Sequence, residues 1–246
     1  MTNDKNIFLG VNVDHVATLR EARGVNYPDP IQIALIAEKN GADSITIHLR
    51  EDRRHIQDHD VERMITVIES RVNLEMAAID EMIDIACMLK PYDCCLVPEK
   101  RQELTTEGGL DVNSRMDFLS SCVGQLKKSG IRVSIFVDPD PKQIESSQMI
   151  GADAVEIHTG LYADSVNSSD QAYELNRIKE CAVHADRIGL RVNAGHGLHY
   201  ENTSEIAAIH EIKELNIGHS IIARAVNSGI AEAVSEMKSI MIKSRK

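Results

Sequence analysis

The feature that most limits what this chain can fold into is a repeated alternation. A short β-branched or apolar run is followed, again and again, by a longer segment with apolar residues at helical spacing. The short runs are FLGVNV (8 to 13), SITIHL (44 to 49), VNLEMA (72 to 77), DCCLVP (93 to 98), RVSIFVD (132 to 138), AVEIH (154 to 158), LRVNAG (190 to 195) and GHSIIA (218 to 223). Between them lie amphipathic segments such as PIQIALIAEKNG, DVERMITVIESR and SDQAYELNRIKECAVHADRIG. Parallel strands need crossovers of this length, and about eight strand–helix units close a barrel. The expected fold is therefore α/β, a (β/α)8 TIM barrel with extra loop and helical insertions.

The punctuation agrees. Gly41, Gly130, Gly151 and Gly189 each end a helical pattern just before a strand, where a left-handed cap suits glycine. Asp80, Asn113, Asp140, Ser169 and Asn202 sit near helix starts, where a short polar side chain caps free N–H groups. No linker or composition shift divides the 246 residues, so residues 1–246 read as one barrel domain. Two connections are long for a compact domain: EKRQELTTEGGLDV after the fourth strand and TGLYADSVNSS after the sixth.

Composition excludes several classes. A net charge of -11 does not suit a polyanion or an anionic membrane surface, so neither nucleic acid nor membrane is expected as a partner. MTNDKNIFLG has no basic flank leading into a long apolar run, and no segment is long enough to span a bilayer; the expected location is cytoplasmic. The five cysteines lack CxxC spacing and read as reduced, with Cys94 and Cys95 packed inside an apolar run. With no Trp and 3% aromatics, the core rests on Ile, Val, Leu, Ala and Met.

In this fold the C-terminal strand ends carry the chemistry. Here they bring Asn12, Asp14 and His15 from the first strand, His48 and Arg50 from the second and Glu75 from the third. His158 and Thr159 follow the sixth, Asn193 and His196 the seventh, and Gly218 and His219 lie at the eighth. Each has a bland alternative alone: a satisfied histidine, or a Glu75 salt bridge to Arg20 or Arg23. Several His and one Glu around one mouth, with no GxSxG, Walker A or GxGxxG motif, instead fit multi-step proton transfer. His48, Glu75 and His196 are the expected acid–base residues. Gly195 and Gly197 in NAGHG, and Gly218 in NIGHS, occupy the region where barrels expose N–H groups to phosphate. Arg20, Arg23, Arg50, Arg53, Arg54 and His55 add cations near the same rim, although Arg53 and Arg54 read as solvated surface.

The segments GVNVDHVATLREARG, TIHLREDRRHI, NLEMA, LVPEKRQELTTEGGLDV, EIHTGLYAD, VNAGHGL and ELNIGHSIIARAV together resemble the pyridoxine 5'-phosphate synthase family of vitamin B6 biosynthesis. The resemblance implies condensation of 3-amino-2-oxopropyl phosphate with 1-deoxy-D-xylulose 5-phosphate, giving pyridoxine 5'-phosphate, phosphate and water. It implies that His48 and Glu75 are acid–base catalysts and His196 a proton donor. It assigns Asn12, Arg23, Gly197, Gly218 and His219 to the aminoketone phosphate. Asp14, His15, Arg50, His55 and Thr105 fall to the deoxyxylulose phosphate, and His158 keeps a supporting role. The Schiff base would form between the two substrates, so no catalytic lysine is needed; Lys100 is the one lysine near an expected strand end. A loop around Thr105 would act as a lid. The resemblance implies no cofactor, no metal, and a homo-oligomer, an octamer.

Two rivals remain at this level. A metal-dependent barrel hydrolase or lyase would use His15, His48, His158 and His196 as ligands, although the first strand ends in NVDH rather than a paired HxH. A non-catalytic phosphate-ligand binding protein would keep the barrel without the acid–base trio.

Overall fold

The computed structural model describes residues 6–99 and 108–245. The first half of the chain runs β1 (Phe8–Asn12), α1 (Asp14–Arg23), α2 (Pro30–Lys39), β2 (Ser44–His48), α3 (Asp58–Val67), β3 (Arg71–Ala77), α4 (Asp80–Leu89) and β4 (Asp93–Val97). A 3-10 turn (Asn113–Arg115) leads into α5 (Met116–Lys128), β5 (Arg132–Val137), α6 (Pro141–Met149), β6 (Ala154–His158), α7 (Gly160–Ala163) and α8 (Ser168–Arg187). The last quarter is β7 (Arg191–Gly195), α9 (Thr203–Ala207), β8 (Ile212–Ile217), α10 (His219–Ser228) and α11 (Ile230–Lys243). The strands are parallel and follow sequence order, with β8 pairing back to β1 through Val11 and Ile217 to close the barrel.

Seven strands lie within a residue of the expected positions. The eighth does not. GHSIIA is not a strand: Gly218 is the N-cap of α10, and Ile221 and Ile222 are buried on that helix. The strand is IKELNI, whose first three residues end the segment ENTSEIAAIHEIKE that reads as an amphipathic helix, and whose apolar pattern Glu214 and Asn216 interrupt. The true strand points Glu214 and Asn216 to one side and Leu215 and Ile217 to the other. A second addition is α1, directly after β1, which buries Val16, Ala17 and Arg20.

This alternation repeats around the barrel and separates two interiors. Leu9, Val11, Ile45, Ile47, Leu74, Leu96, Ile135, Val155, Ile157 and Leu215 belong to the large apolar core shared with the helices. The intervening positions face the lumen and are polar: Ser44, Thr46, Asn73, Asp93, Ser134, Glu156, Asn193, Glu214 and Asn216 are all buried. Cys95, Val97 and Phe136 form a separate apolar patch. Polar residues are thus not confined to the strand ends, as the general rule for buried parallel strands implies. They are tolerated because they bond one another: Ser44 donates to Glu214 at 2.5 Å, Thr46 to Asn216 at 3.3 Å, and Asn216 to Glu156 at 2.6 Å. At the N-terminal strand ends, Arg71 bridges Asp93 and Glu214, Arg132 pairs with Asp93, and Arg191 reaches Glu214.

Gly41, Gly130, Gly151 and Gly189 all have positive φ, between 85° and 115°. The polar caps are mixed. Asp140 accepts the Lys142 N–H at the start of α6. Asn167, not Ser169, caps α8 through the Asp170 N–H. Asp80 lies inside α4, whose N-cap is Ile79 and carries no side-chain cap. Asn113 accepts from the Ser146 hydroxyl, and Asn202 accepts the His199 N–H. The five cysteines are unpaired, and Cys94, Cys95, Cys122 and Cys181 are buried. Burial and the Glu156 and Glu75 charges push the Cys95 thiol well up, which disfavours the thiolate a nucleophile needs. Among the described residues, no helix is long and apolar enough to cross a membrane.

Candidate active site

The C-terminal ends of the strands open into a cavity of ≈ 700 Å³. His48, Glu75 and His196 line it, with Asn12, Asp14, His15, Arg50, His55, Gly197, Gly218 and His219. Two expected residues are not among them. Arg23 is exposed at the last turn of α1, and Thr105 lies outside the described residues. A second cavity of ≈ 510 Å³, at the opposite end of the barrel, is lined by Ser70, Lys90, Tyr92 and Arg132 and holds none of the acid–base residues.

His48 ends β2 and is the register partner of Glu75 on β3. Its Nε2 lies 2.7 Å from Glu99 Oε1, and the other Glu99 oxygen accepts the Glu51 N–H at 3.1 Å. Burial opposes ionisation of Glu99, but the hydrogen bond and charge of His48 and the Glu51 N–H hold its carboxyl below the usual range. An ionised carboxylate is acceptor-only, so the Nε2 of His48 carries the proton and the lone pair of the neutral ring is at Nδ1. The His48 backbone N–H donates to Asp14 Oδ1 at 2.8 Å, and Asn12 Nδ2 donates to the other Asp14 oxygen at 2.8 Å.

Glu75 does not pair with Arg20 or Arg23. Arg20 instead makes a bidentate bond to Asp60, at 2.8 and 2.7 Å, and reaches the His55 carbonyl. Burial pushes the Glu75 carboxyl well above the usual range, and the Glu156 and Asp14 charges push it further. Glu156, which also lines the cavity, is pushed up to about 7, chiefly by burial, against the Asn216 hydrogen bond and with help from Glu214. Two carboxyls of raised proton affinity, one on β3 and one on β6, therefore line the same cavity.

His196 follows β7 with φ at 82°, a left-handed conformation unusual for a residue with a side chain. The Thr159 hydroxyl holds it there by donating to the Gly195 and His196 carbonyls at 2.7 and 2.5 Å. Burial lowers the His196 imidazole to about 4, with His158 adding to the effect and Asp164 opposing it. Its ring meets His158 at 5.0 Å between centroids. Gly197 also has positive φ, and a Cβ there would lie 2.6 Å from the Ala163 Cβ.

Where β1 and β8 meet, His15 of α1 packs on His219 of α10 edge to face at 4.9 Å. Burial and the His219 charge lower the His15 imidazole against the pull of Asp14. His55 is lowered mainly by burial, and its Nδ1 accepts the Ile56 N–H. Gly218 and His219 sit at the N-terminal end of the ten-residue α10, where backbone N–H groups favour an anion. Arg50 is buried at the rim. Arg53 is tied into ion pairs with Asp58 and Glu81, whereas Arg54, paired with Asp52, does line the cavity. A solvated-surface reading is thus incomplete for Arg54.

Among the described residues, one group of three could offer donors to a metal: Asp14, His48 and Glu75, with donor atoms within 4.8 Å of one another. His15, His158 and His196 are not part of it. Two of these residues also make orienting bonds, His48 through Nε2 to Glu99 and Asp14 to Asn12 and the His48 N–H.

Sequence reasoning passed over Glu99, Asp138 and Glu156. For Glu156 a signal existed: AVEIH places one carboxylate inside an apolar strand, just as NLEMA does for Glu75.

A closed parallel barrel with acidic and imidazole groups of shifted proton affinity at its C-terminal mouth is the architecture of a barrel enzyme of acid–base chemistry. Solved structures of similar fold include KGPDC from Streptococcus mutans, at 12% identity and a TM-score of 0.67 over 97% of this chain and 98% of that one. Thiamine phosphate pyrophosphorylase from Pyrococcus furiosus matches at 11% identity and 0.62 over 99% of each chain. These likenesses concern the fold. Residues 9–243 match the family described as pyridoxal phosphate biosynthesis protein PdxJ, and the chain belongs to that family. Its members are pyridoxine 5'-phosphate synthases, and the expected condensation of 3-amino-2-oxopropyl phosphate with 1-deoxy-D-xylulose 5-phosphate is the reaction of this chain.

Proposed function

We propose that His48 and Glu75 take protons during this condensation, that His196 supplies a hydrogen bond or proton to developing negative charge, and that the rest of the mouth grips two phosphorylated substrates. The observation that carries the reading is the register pairing of His48 with Glu75 at the cavity, with His48 Nε2 fixed on Glu99. That bond leaves Nδ1 as the basic atom. Glu75, its proton affinity raised by burial and by two neighbouring carboxylates, is a stronger base than an ordinary carboxylate. His196 is neutral at such pH, so it acts through its ring N–H rather than as an imidazolium.

In this reading the amine of the aminoketone attacks the ketone of the sugar phosphate, and the Schiff base joins the two substrates. Phosphate elimination, water addition, ring closure and dehydration then each move a proton between the substrates and these side chains. Asn12, Gly197, Gly218 and His219 receive the aminoketone phosphate at the N-terminus of α10, and Arg23, exposed on α1 outside the cavity lining, is assigned to the same phosphate. Asp14, His15, Arg50, His55 and Thr105 receive the deoxyxylulose phosphate. The chain works without a cofactor or metal, as a cytoplasmic homo-oligomer, an octamer, which light scattering of the purified protein checks.

The test is to mix both substrates with the purified protein and follow pyridoxine 5'-phosphate. His48→Ala and Glu75→Gln lower turnover by roughly 100-fold or more with folding intact. Near-normal turnover in both variants rejects the assigned roles.

A further inference from the structure

Behind His196 lies a pair of residues that is not itself part of the cavity lining. His158 closes β6 and is 6% exposed. Its Nδ1 is 3.0 Å from Asp138 Oδ1 at the end of β5. Asp138 also accepts the Gly109 N–H at 2.9 Å on the same oxygen. The His158 bond, against the effect of burial, holds the Asp138 carboxyl below the usual range. An ionised Asp138 can only accept, so the proton of a neutral His158 sits on Nδ1 and the lone pair on Nε2.

That Nε2 is buried and has no hydrogen-bond partner among the described residues. It lies against Gly160, where a Cβ would come within 2.4 Å of it and 3.3 Å of His196 Cδ2. Glycine at 160 is what lets the two rings meet. They do so edge to face, at 5.0 Å and 63°, with Phe136 packed on His158 at 5.1 Å and on His196 at 6.5 Å. His196 is therefore braced on two sides, its backbone by Thr159 and its ring by His158 and Phe136.

We propose that Asp138 and His158 form a positioning pair for His196: Asp138 fixes the plane and tautomer of His158, and His158 fixes the ring of His196 at the mouth. The pair never contacts substrate. It rests on the reading of His196 as the group that serves developing negative charge. An unsatisfied buried nitrogen is costly to retain, and an apolar ring would fill the same space without that penalty. A histidine here is explained by orientation and charge rather than by packing. The charged groups facing the pair are Arg177 of α8 on the Asp138 side, Asp164 after α7 on the His196 side, and Glu156, two residues before His158 on β6.

The test compares His158→Phe, which keeps a ring, with Asp138→Asn, which keeps an acceptor for Gly109 but loses the charge. Expected are a fall in kcat of roughly 10-fold or more in both, KM within about threefold, and unchanged folding. In protein labelled at histidine, NMR titration of His196 in His158→Phe should move upward from about 4, because the His158 ring that disfavours the His196 charge is removed while burial persists. Wild-type kcat in both variants, or a His196 titration unmoved by His158→Phe, overturns the proposal; a merely structural His158 would lower thermal stability and leave that titration in place. Failure of the underlying reading looks different: His196→Asn would then retain full turnover, whatever the titration in His158→Phe shows.

Discussion

Glu99 Oε1 accepts the Nε2 proton of His48 across 2.7 Å, while the second Glu99 oxygen is held by the Glu51 N–H. The carboxylate sets the tautomer of the ring, so a change that leaves its shape but removes its charge tests the assignment directly. In Glu99→Gln the amide can donate as well as accept, and the Nδ1 lone pair of His48 is no longer enforced. The expected outcome is a loss of roughly 100-fold in kcat with KM within about threefold, read by steady-state assay of the folded variant. Glu99→Asp, which keeps the charge but shortens the reach, should recover part of that loss.

The Glu156 charge raises the proton affinity of Glu75 across the cavity, so Glu156 is a lever on Glu75. If Glu75 works as a base, activity falls on the acid side as it becomes protonated, at a pH well above the ordinary carboxylate range. Glu156→Gln removes one of the two charges opposing its ionisation. The acid limb of kcat/KM should then move to lower pH, without reaching the ordinary value, because burial of Glu75 persists. An unmoved limb would mean that Glu75 does not set it.

Glu156 also links folding to pH. Its folded-state value of about 7 lies above the ordinary 4.5, so the protonated acid is the form the fold favours. Its contribution is fully present below about pH 4.5 and is lost as pH rises through about 7. Urea unfolding between pH 5 and 8 should show the wild type losing up to about 3 kcal/mol relative to Glu156→Gln, which has no proton to lose. Parallel stability curves for the two proteins would contradict this.

Much of the fold was legible because period-2 and helical patterns differ most in long apolar runs. Seven strands carry such runs, and the positions of Gly41, Gly130, Gly151 and Gly189 mark the ends between them. β8 was not legible, because its lumen face holds Glu214 and Asn216, and half-polar IKELNI has the look of a charged helix. The apolar GHSIIA looked more like a strand than the strand did. Correcting that shift moves Gly218 and His219 from the start of a strand to the turn beyond its end, at the mouth. Glu99 and Asp138 escaped for another reason. Each acts by holding a histidine far away in sequence, 51 and 20 residues distant, and such pairs are set by barrel register rather than by any local motif.

The donors of Asp14, His48 and Glu75, two carboxylates and an imidazole, approach within 4.8 Å, so a borderline divalent cation such as zinc could enter without being part of the chemistry. Dialysis against a chelator should leave turnover unchanged, and added zinc should inhibit in competition with substrate, since it would occupy the basic atoms. Activity lost to the chelator and restored by zinc would instead make the barrel a metalloenzyme.

At the N-terminal end of the lumen, Glu214 is 2% exposed and gathers Ser44, Arg71 and Arg191. Burial opposes its charge, yet the two guanidinium groups and the Ser44 hydroxyl hold its carboxyl below the usual range. The network lies outside the cavity lining, so its loss should register mainly as stability rather than as chemistry. Glu214→Gln keeps the volume but leaves Arg71 with Asp93 alone and Arg191 without its ion pair. Removing one partner of a buried network destabilises by about 3 kcal/mol. For a chain of this size that lowers Tm by roughly 6 to 12 °C, measurable by calorimetry. Turnover per folded molecule at low temperature should stay within about twofold of wild type. A large fall in kcat with Tm unchanged would show that the polar lumen couples its far end to the acid–base groups.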